Sequence, residues 1–483
     1  MIVLYILSSR LFPGGFFMHS LFKKLVLACV LTSTTLMFSL PLAAASGMSK
    51  ESKAALDKEI TQMVGDEGSK VPGLGVIVYK DGKEVYRNFQ GRRYIDPQNP
   101  KNDLPMTADT RYRIASVSKQ FVAFGIMQLV AQGKIDLDED ISQYLGFTLR
   151  NPNFPDTALT ARMLLSHTSS LRDGEVYSTP SSAGLQEFFK PDGKYYEDGA
   201  HFAPAGQAPG KYFEYCNLNY GILGTIIERL SGERFDKYMR EHVLKPMDIQ
   251  GSYNVGDFDA KEIEQVGVIY RKKKDGVWDE HGPWAAQMDD YRGQVQDPDF
   301  GLVTNPDVRK LDGWDSVKTY RPGTNATSFS PQGGLRLSGN ELSHLLSMLM
   351  NNGTYRGRQI VRPDLLAEMF KVQWKYDPQH PNSATYNGSM EAYGFAEQII
   401  DGRGTSRVVK DKVIPLQGHV GEAYGLMSGV MIRPGTKDGF IYISTGEAVE
   451  EDTDPRSAGQ FSGNYIWEEN IMNAICMNAF TDK

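Results

Sequence analysis

Cysteine is scarce in this chain, with three residues in 483, and Cys29 lies in an N-terminal apolar stretch. Only Cys216 and Cys476 remain downstream, so a disulfide framework cannot be what holds a fold of this size. Whether those two pair is open. Basic charge is not in excess either: 52 Lys and Arg stand against 59 Asp and Glu, a net −7. That balance argues against nucleic acid bound through a basic face. No low-complexity tract or block of like charge interrupts the chain, and no second apolar run of spanning length follows the first. The eight histidines show no H-E-x-x-H spacing, which removes the commonest zinc-hydrolase pattern.

What is there begins with a leader. Lys23 and Lys24 precede "LVLACVLTSTTLMFSLPL", which runs into "AAAS". Basic, apolar and small residues in that order read as a secretory signal over residues 1–45, cleaved between Ala45 and Ser46. Met18 is a natural start for it, leaving 1–17 as an upstream extension. The competing reading is an uncleaved anchor, because the run approaches the ~20 residues that span a bilayer. Cleavage removes Arg10, Lys23 and Lys24 and no acid, taking the net charge from −7 to −10. The expected location is periplasmic or secreted, with membrane contact only if the leader stays.

Downstream, Glu51–Val64 has the make-up of a helix. "GLGVIVYKDGKEVYRNFQGR" then gives two β-rich runs about Asp81-Gly82, a hairpin signal. Helices are expected from Ser116 to about Val130, over Thr160–Leu171 and over Asn219–Gly232, where Ile222, Ile226 and Leu230 share a stripe. Ser338 and Glu341 make a capping box before another. The C-terminal part holds three strand-like runs, "RVVKDKVIPLQGHVG", "LMSGVMIR" and "GFIYISTG", and a last helix over about 464–480. Strands at both ends with helices between, and no βαβ alternation, imply an α+β fold with an antiparallel sheet built from both termini. Residues 251–330 lack periodicity and read as long ordered loops, either a lid or extra cleft wall or a surface decoration.

"RYRIASVSKQF" (Arg111–Phe121) places Ser116 and Lys119 at i,i+3, on one helix face. A serine becomes a nucleophile when a neighbouring base takes its proton. Lysine is such a base only if burial or a nearby positive charge brings its pKa down from ~10.4. Alone the pair also fits a helix cap beside a snorkelling lysine. "YFEYCNLNYGILG" sets Tyr215 and Asn217 just before a helix, where a hydroxyl can relay a proton and an amide can hold a carbonyl. A core aromatic is the plainer account of Tyr215. "LQGHVGEAYG" carries His419, Val420, Gly421 and Glu422 in a strand, where glycine marks close approach by another backbone or a ligand.

In these motifs and their order the chain resembles the serine β-lactamases and penicillin-recognising D,D-peptidases, in the class C-like branch with its D-aminopeptidases and esterases. "RIASVSK", "FEYCNLNYGILG" and "GHVG" resemble that family's three active-site motifs. "LLSHTSSL", "LKPMDI" and "PQGGLRLSGNELS" resemble landmarks between them, so the likeness runs from about Val71 to the C-terminus. It implies a mostly antiparallel sheet flanked by helices, an all-helical lobe, and a cleft between them in one hydrolase domain over 46–483. It further implies Ser116 as the nucleophile of an acyl-enzyme, Lys119 and Tyr215 sharing the proton work, and Asn217 orienting substrate. The backbone N–H groups of Ser116 and Glu422 would form the oxyanion hole. No metal or cofactor is implied, and His167 reads as structural.

The third motif departs from the β-lactamase pattern. His419 stands where a lysine is expected, and an ordinary histidine titrates near pH 6.5; it would modulate the Tyr215 side electrostatically. Val420 replaces the usual threonine, and strand alternation puts Glu422 on the same side as Val420, toward the cleft. Glu422 would repel a substrate carboxylate unless a cation offsets it. The expectation is therefore an exported serine hydrolase acting on a D-amino-acid peptide, amide or ester, weak on β-lactams. Its substrate would be neutral or carry an amine, and could derive from cell wall. A class C-type β-lactamase, a D,D-carboxypeptidase and a non-catalytic cell-wall-fragment binder are the alternatives.

Overall fold

Alternation along the strand Gly73–Lys80 (β1) sends Leu74, Val76 and Val78 into one apolar cluster and Ile77 into another. That split describes the architecture, a sheet with helices on both faces. The structure is a computed structural model and describes residues 47–68, 70–291, 320–451 and 453–481. The leader, Cys29 and residues 292–319 of the long segment lie outside the described residues.

From β1 the chain turns through Asp81 and Gly82, with φ of 49° and 76°, into Lys83–Tyr94 (β2). Both positive angles belong to the tight hairpin turn that Asp-Gly favours. Leu104–Pro105 (β3) follows on the outer edge. Six further strands come late in the chain: Trp374–Lys375 (β4), Ala392–Tyr393 (β5), Gln398–Ile400 (β6), Leu416–Ala423 (β7), Leu426–Ile432 (β8) and Gly439–Ser444 (β9). They assemble in the order β4-β5-β6-β7-β8-β9-β1-β2-β3, antiparallel throughout. The sheet is thus built from both ends of the folded chain, as expected.

Lys50–Met63 (α1) and the last helix, Ile466–Ala479, cover one face, where Leu56, Ile60, Met472 and Ile475 meet Val76, Met431 and Tyr442. The other face carries the larger core. Ser118–Ala131 (α2), Leu218–Ser231 (α3) and Gly339–Met350 (α4) pack there against Ile77, Val430 and Ile441. The Ser338 and Glu341 capping box forms as read from the sequence. The last helix is named α5.

Three elements differ from expectation. The helix expected over Thr160–Leu171 spans only Ala161–Leu165. The chain then turns left-handed at His167 and Ser170, φ 55° and 62°, which no helix can follow. Ser116 sits in a 3-10 turn, Ala115–Val117, that leads into α2 rather than in the helix itself. Residues 251–291 are not only loops: Ile269–Lys274, Val277–Trp278 and Trp284–Met288 are strands, joined to Gly446–Glu447 in a second small sheet. Their signal was hidden because cations replace apolar residues. Arg271 and Lys273 lie over Trp278, and Lys272 over Trp284, so the pattern lacks an apolar period. Cys216 and Cys476 are both buried and unpaired with each other.

Candidate active site

The serine turn is pinned before any chemistry is considered. Ala115 holds a φ of 45°, a left-handed angle that costs a non-glycine residue on the order of 1 kcal/mol. Neighbours enforce it: the Ile114 N–H bonds Leu335 O at 2.9 Å, and Ser428 Oγ donates to Ile114 O at 2.9 Å. Helix α2 is buried nearly all round, so a lysine one turn beyond Ser116 has no route to water. Lys119 is fully buried. Its Nζ meets Ser116 Oγ at 2.9 Å, Asn217 Oδ1 at 2.8 Å and the Gln332 carbonyl at 3.0 Å.

Burial lowers the Lys119 pKa to about 7, with Asp173 opposing the shift. The three partners then acquire distinct roles. Asn217 Oδ1 and the Gln332 carbonyl can only accept, so they take the two N–H groups of a neutral amine. The remaining direction, toward Ser116 Oγ, holds the lone pair. A neutral Lys119 is therefore built to accept the serine proton.

Tyr215 and Asn217 arrive from the turn before α3. The Tyr215 side chain lines the same cavity as Ser116, and burial pushes its pKa well above the usual phenol value, with Ser116 opposing the shift. It stays protonated and can donate. Its ring stacks on His167 at 4.2 Å, and His167 Nδ1 accepts the Cys216 N–H at 3.0 Å. His167 thus holds the turn in place. Asn217 donates from Nδ2 to Asp173 Oδ2 at 2.9 Å, while Asp173 Oδ1 accepts the Leu218 N–H at 2.8 Å. Asp173 therefore caps α3 and fixes which end of the Asn217 amide faces Lys119. The sequence reading missed Asp173, because a single acid in a loop carries no pattern.

Strand β7 supplies the opposite wall. A Cβ on Gly421 would fall 2.6 Å from Ile114 O and 2.9 Å from the Ser116 nitrogen, so only glycine lets the strand reach the serine turn. The two-residue turn Tyr424–Gly425 pairs Ala423 with Leu426 and Glu422 with Met427. In such a hairpin the second pair is the non-hydrogen-bonded one, and the Glu422 N–H points away from β8. His419 differs from the sequence expectation. Burial, then the nearby Lys119, lowers its pKa to about 3, so it is neutral well below pH 6.5. Tyr393 donates its hydroxyl to His419 Nε2 at 2.7 Å, and Nδ1 faces the Val420 carbonyl. His419 acts on the Tyr215 side as a neutral dipole, not as a titrating charge.

These groups border one cavity of about 370 Å³, lined by Ser116, Tyr215, Asn217, His419, Val420 and Glu422. Val420 and Glu422 both face it, as alternation required. The cation that Glu422 needed is present: Arg271 lies 3.9 Å from its carboxylate. Arg271 is shared, however, with Glu447 at 3.5 Å and with Glu451. The three carboxylates bring oxygens within 4.8 Å of one another, a donor set a metal could use, but a guanidinium already pairs with all three. Glu468, from the first turn of α5, joins Glu422 on the cavity wall. Sequence reasoning found neither Arg271 nor Glu468, because they are far from every motif in the chain.

Comparisons with known proteins bear on the family and the fold. The sequence model of the Beta-lactamase family matches residues 56–462. "Protein flp" of Staphylococcus aureus (strain NCTC 8325 / PS 47) is 24% identical over 219 residues, covering 43% of this chain and 41% of that protein. The chain thus matches less than half of that relative's length. A "Putative D-alanyl-D-alanine carboxypeptidase" of Escherichia coli O157:H7 is 23% identical over 340 residues, 69% of this chain and 71% of that one. Among solved structures, the D-amino acid amidase of Ochrobactrum anthropi SV3 superposes with a TM-score of 0.55 at 20% identity, over 88% of this chain and 96% of that one. The likeness includes the large antiparallel sheet flanked by helices. Because the family match runs through the serine turn, the helix mouth and the strand alike, over most of the chain's length, this protein belongs to the Beta-lactamase family.

Proposed function

We propose that the protein is an exported serine hydrolase that works through an acyl-enzyme on a small amide, ester or peptide, of the D-amino-acid class named for several of its relatives. One observation carries the reading: a fully buried Lys119 whose Nζ stands 2.9 Å from Ser116 Oγ, with its other two partners acceptors only. In the first step Ser116 Oγ bonds to the substrate carbonyl carbon as its proton passes to Lys119 Nζ. The oxyanion is received by the N–H groups of Ser116 and Glu422. Collapse breaks the bond to the leaving group, which takes a proton from the Tyr215 hydroxyl; the proton held by Lys119, whose Nζ lies 4.6 Å from the Tyr215 ring centre, then restores that hydroxyl. Water then attacks the ester, loses its proton to the same base, and frees Ser116. Asn217, held by Asp173, orients the substrate.

The acid at Glu422, whose partner Arg271 is shared with Glu447 and Glu451, supports esters and amides over substrates that end in a carboxylate, and so supports weak action on β-lactams. The test is incubation of the mature protein with a fluorophosphonate probe and with a labelled penicillin, followed by mass spectrometry of the modified residue. Phosphonate on Ser116 with little penicillin is the expected result. Lasting penicillin on Ser116 would make the protein a penicillin-binding peptidase, and rapid turnover of penicillin a β-lactamase. No label from either would leave a binding protein.

A further inference from the structure

The connection between β4 and β5, residues 376–391, passes over the turn that carries Tyr215, and the two are stitched together. The Phe213 N–H donates to Asn382 O at 2.9 Å, in a parallel bridge that pairs Phe213 with Ser383. The Glu214 N–H turns the other way, to His167 O at 3.0 Å. The Tyr215 N–H returns to the connection and meets the Tyr386 hydroxyl at 3.0 Å. The Cys216 N–H turns back to His167 Nδ1 at 3.0 Å. Four successive N–H groups thus alternate between two neighbours, as those of a central strand do.

On the side of the connection, the contact at Tyr215 is made by a side chain. Tyr386 uses its hydroxyl in both directions, accepting from Tyr215 and donating to Glu214 Oε1 at 3.2 Å. Its ring meets the Tyr215 ring edge-on, with centres 6.3 Å apart, a favoured aromatic geometry. The backbone under it is held in an uncommon form. Tyr386, Asn387 and Gly388 have φ of 51°, 57° and 86°, and consecutive non-glycine residues in the left-handed region persist only where neighbours hold them. Gly463 provides the seat: a Cβ there would fall 2.4 Å from Asn387 O and 2.5 Å from the Ser389 nitrogen. The contact adds little to stability. Tyr386 is 37% exposed, and at an exposed site water replaces either hydrogen-bond partner at small cost. Water cannot replace direction.

We propose that Tyr386 is a positioning residue for Tyr215: its hydroxyl fixes the Tyr215 main chain and its ring steadies the Tyr215 ring, so that the phenol stands where the leaving group departs. The inference rests on the acyl-transfer reading of Ser116 and Tyr215. A general acid works only at hydrogen-bond distance from its target, and a small displacement of it is costly. Tyr386 acts through that acid, so its effect follows the leaving group's need for a proton. A nitrophenolate departs as the anion. A phenolate is far more basic and gains from protonation.

The experiment measures kcat/KM of the parent and of Tyr386→Phe on p-nitrophenyl butyrate and phenyl butyrate. The acyl group is the same in both, and kcat/KM covers the acylation step in which the leaving group departs. The value for the phenyl ester should fall about tenfold in Tyr386→Phe, while the nitrophenyl ester and the rate of fluorophosphonate labelling stay within about twofold of the parent. Tyr386→Ala, which also removes the ring, should widen the gap between the two esters. Equal losses on both esters would make Tyr386 a merely structural residue, and an unchanged phenyl ester would show that Tyr215 does not depend on it. Either result overturns the positioning role, while turnover of the nitrophenyl ester by the parent keeps the acyl-transfer reading. A parent protein that turns over neither ester and takes no phosphonate at Ser116 removes both.

Discussion

Arg336 and Lys119 are both entirely buried, and they are treated in opposite ways. Arg336 lies in a short strand, Arg336–Ser338, and meets Asp289 with two parallel bonds, Nη2 to Oδ1 at 2.8 Å and Nε to Oδ2 at 3.0 Å. Burial opposes both charges, yet each outweighs it for the other: Asp289 is held below the usual carboxylate range and Arg336 above its own. Lys119 has the same burial and no carboxylate in contact. Its three partners are neutral oxygens, so desolvation wins and its pKa falls to about 7. A paired buried charge anchors a structure, here tying the 251–291 segment to the rest. An unpaired one beside a hydroxyl becomes a base.

The comparison is broken most severely by Lys119→Arg. A guanidinium keeps its charge at any working pH and cannot accept the serine proton. Ester turnover should fall by about a thousandfold or more, and the unfolding midpoint should fall as well, because the fixed charge is buried without a carboxylate. Survival of turnover would mean that the base lies elsewhere, with Tyr215 the next to test. The anchor is broken by Asp289→Asn, which leaves Arg336 buried without its counter-charge. Denaturant unfolding should show a loss of about 3–5 kcal/mol, and the double substitution D289N with Arg336→Met should lose less than the single one.

Asp173→Asn sharpens the comparison. The change loosens the Asn217 amide, and turnover should fall by about ten- to a hundredfold. It also removes the negative charge that raises the Lys119 pKa, so the pH inflection should move to lower pH, a shift that simple loss of packing would not produce. The smallest effect is in the pH profile of the parent. Lys119 must be neutral to act, so kcat/KM for a neutral ester should rise about tenfold per pH unit below about 7 and level off above it. His419→Asn should leave that inflection where it is, because His419 is already neutral there; a shift of a full unit would show that it titrates.

Much of the site was legible. Ser116 and Lys119 stand one turn apart, and the 3-10 turn that replaces the expected helical start preserves their shared face. Gly421 announced a close backbone approach, and strand period alone brought Val420 and Glu422 to the same wall. What escaped notice has a common cause. Asp173, Arg271 and Glu468 act across gaps of 44 to 180 residues in sequence, and an isolated acid or arginine looks the same in a loop whether or not it faces a site. The strands at 269–288 were missed for a different reason: Arg271, Lys272 and Lys273 follow Ile269 and Tyr270 and lie on tryptophan rings, so no hydrophobic period continues along the strand.

The sequence by itself determined which groups are available to react, the spacing that puts serine and lysine on one face, the glycine that permits contact, and the alternation that aims Glu422 inward. These follow from local geometry, which depends on residues a few positions apart. Only the tertiary structure decided the protonation states. Whether Lys119 is a base and His419 a charge depends on desolvation and on partners from distant segments. Burial is a property of the packed chain, and free energies of charge are set by what surrounds a group in space.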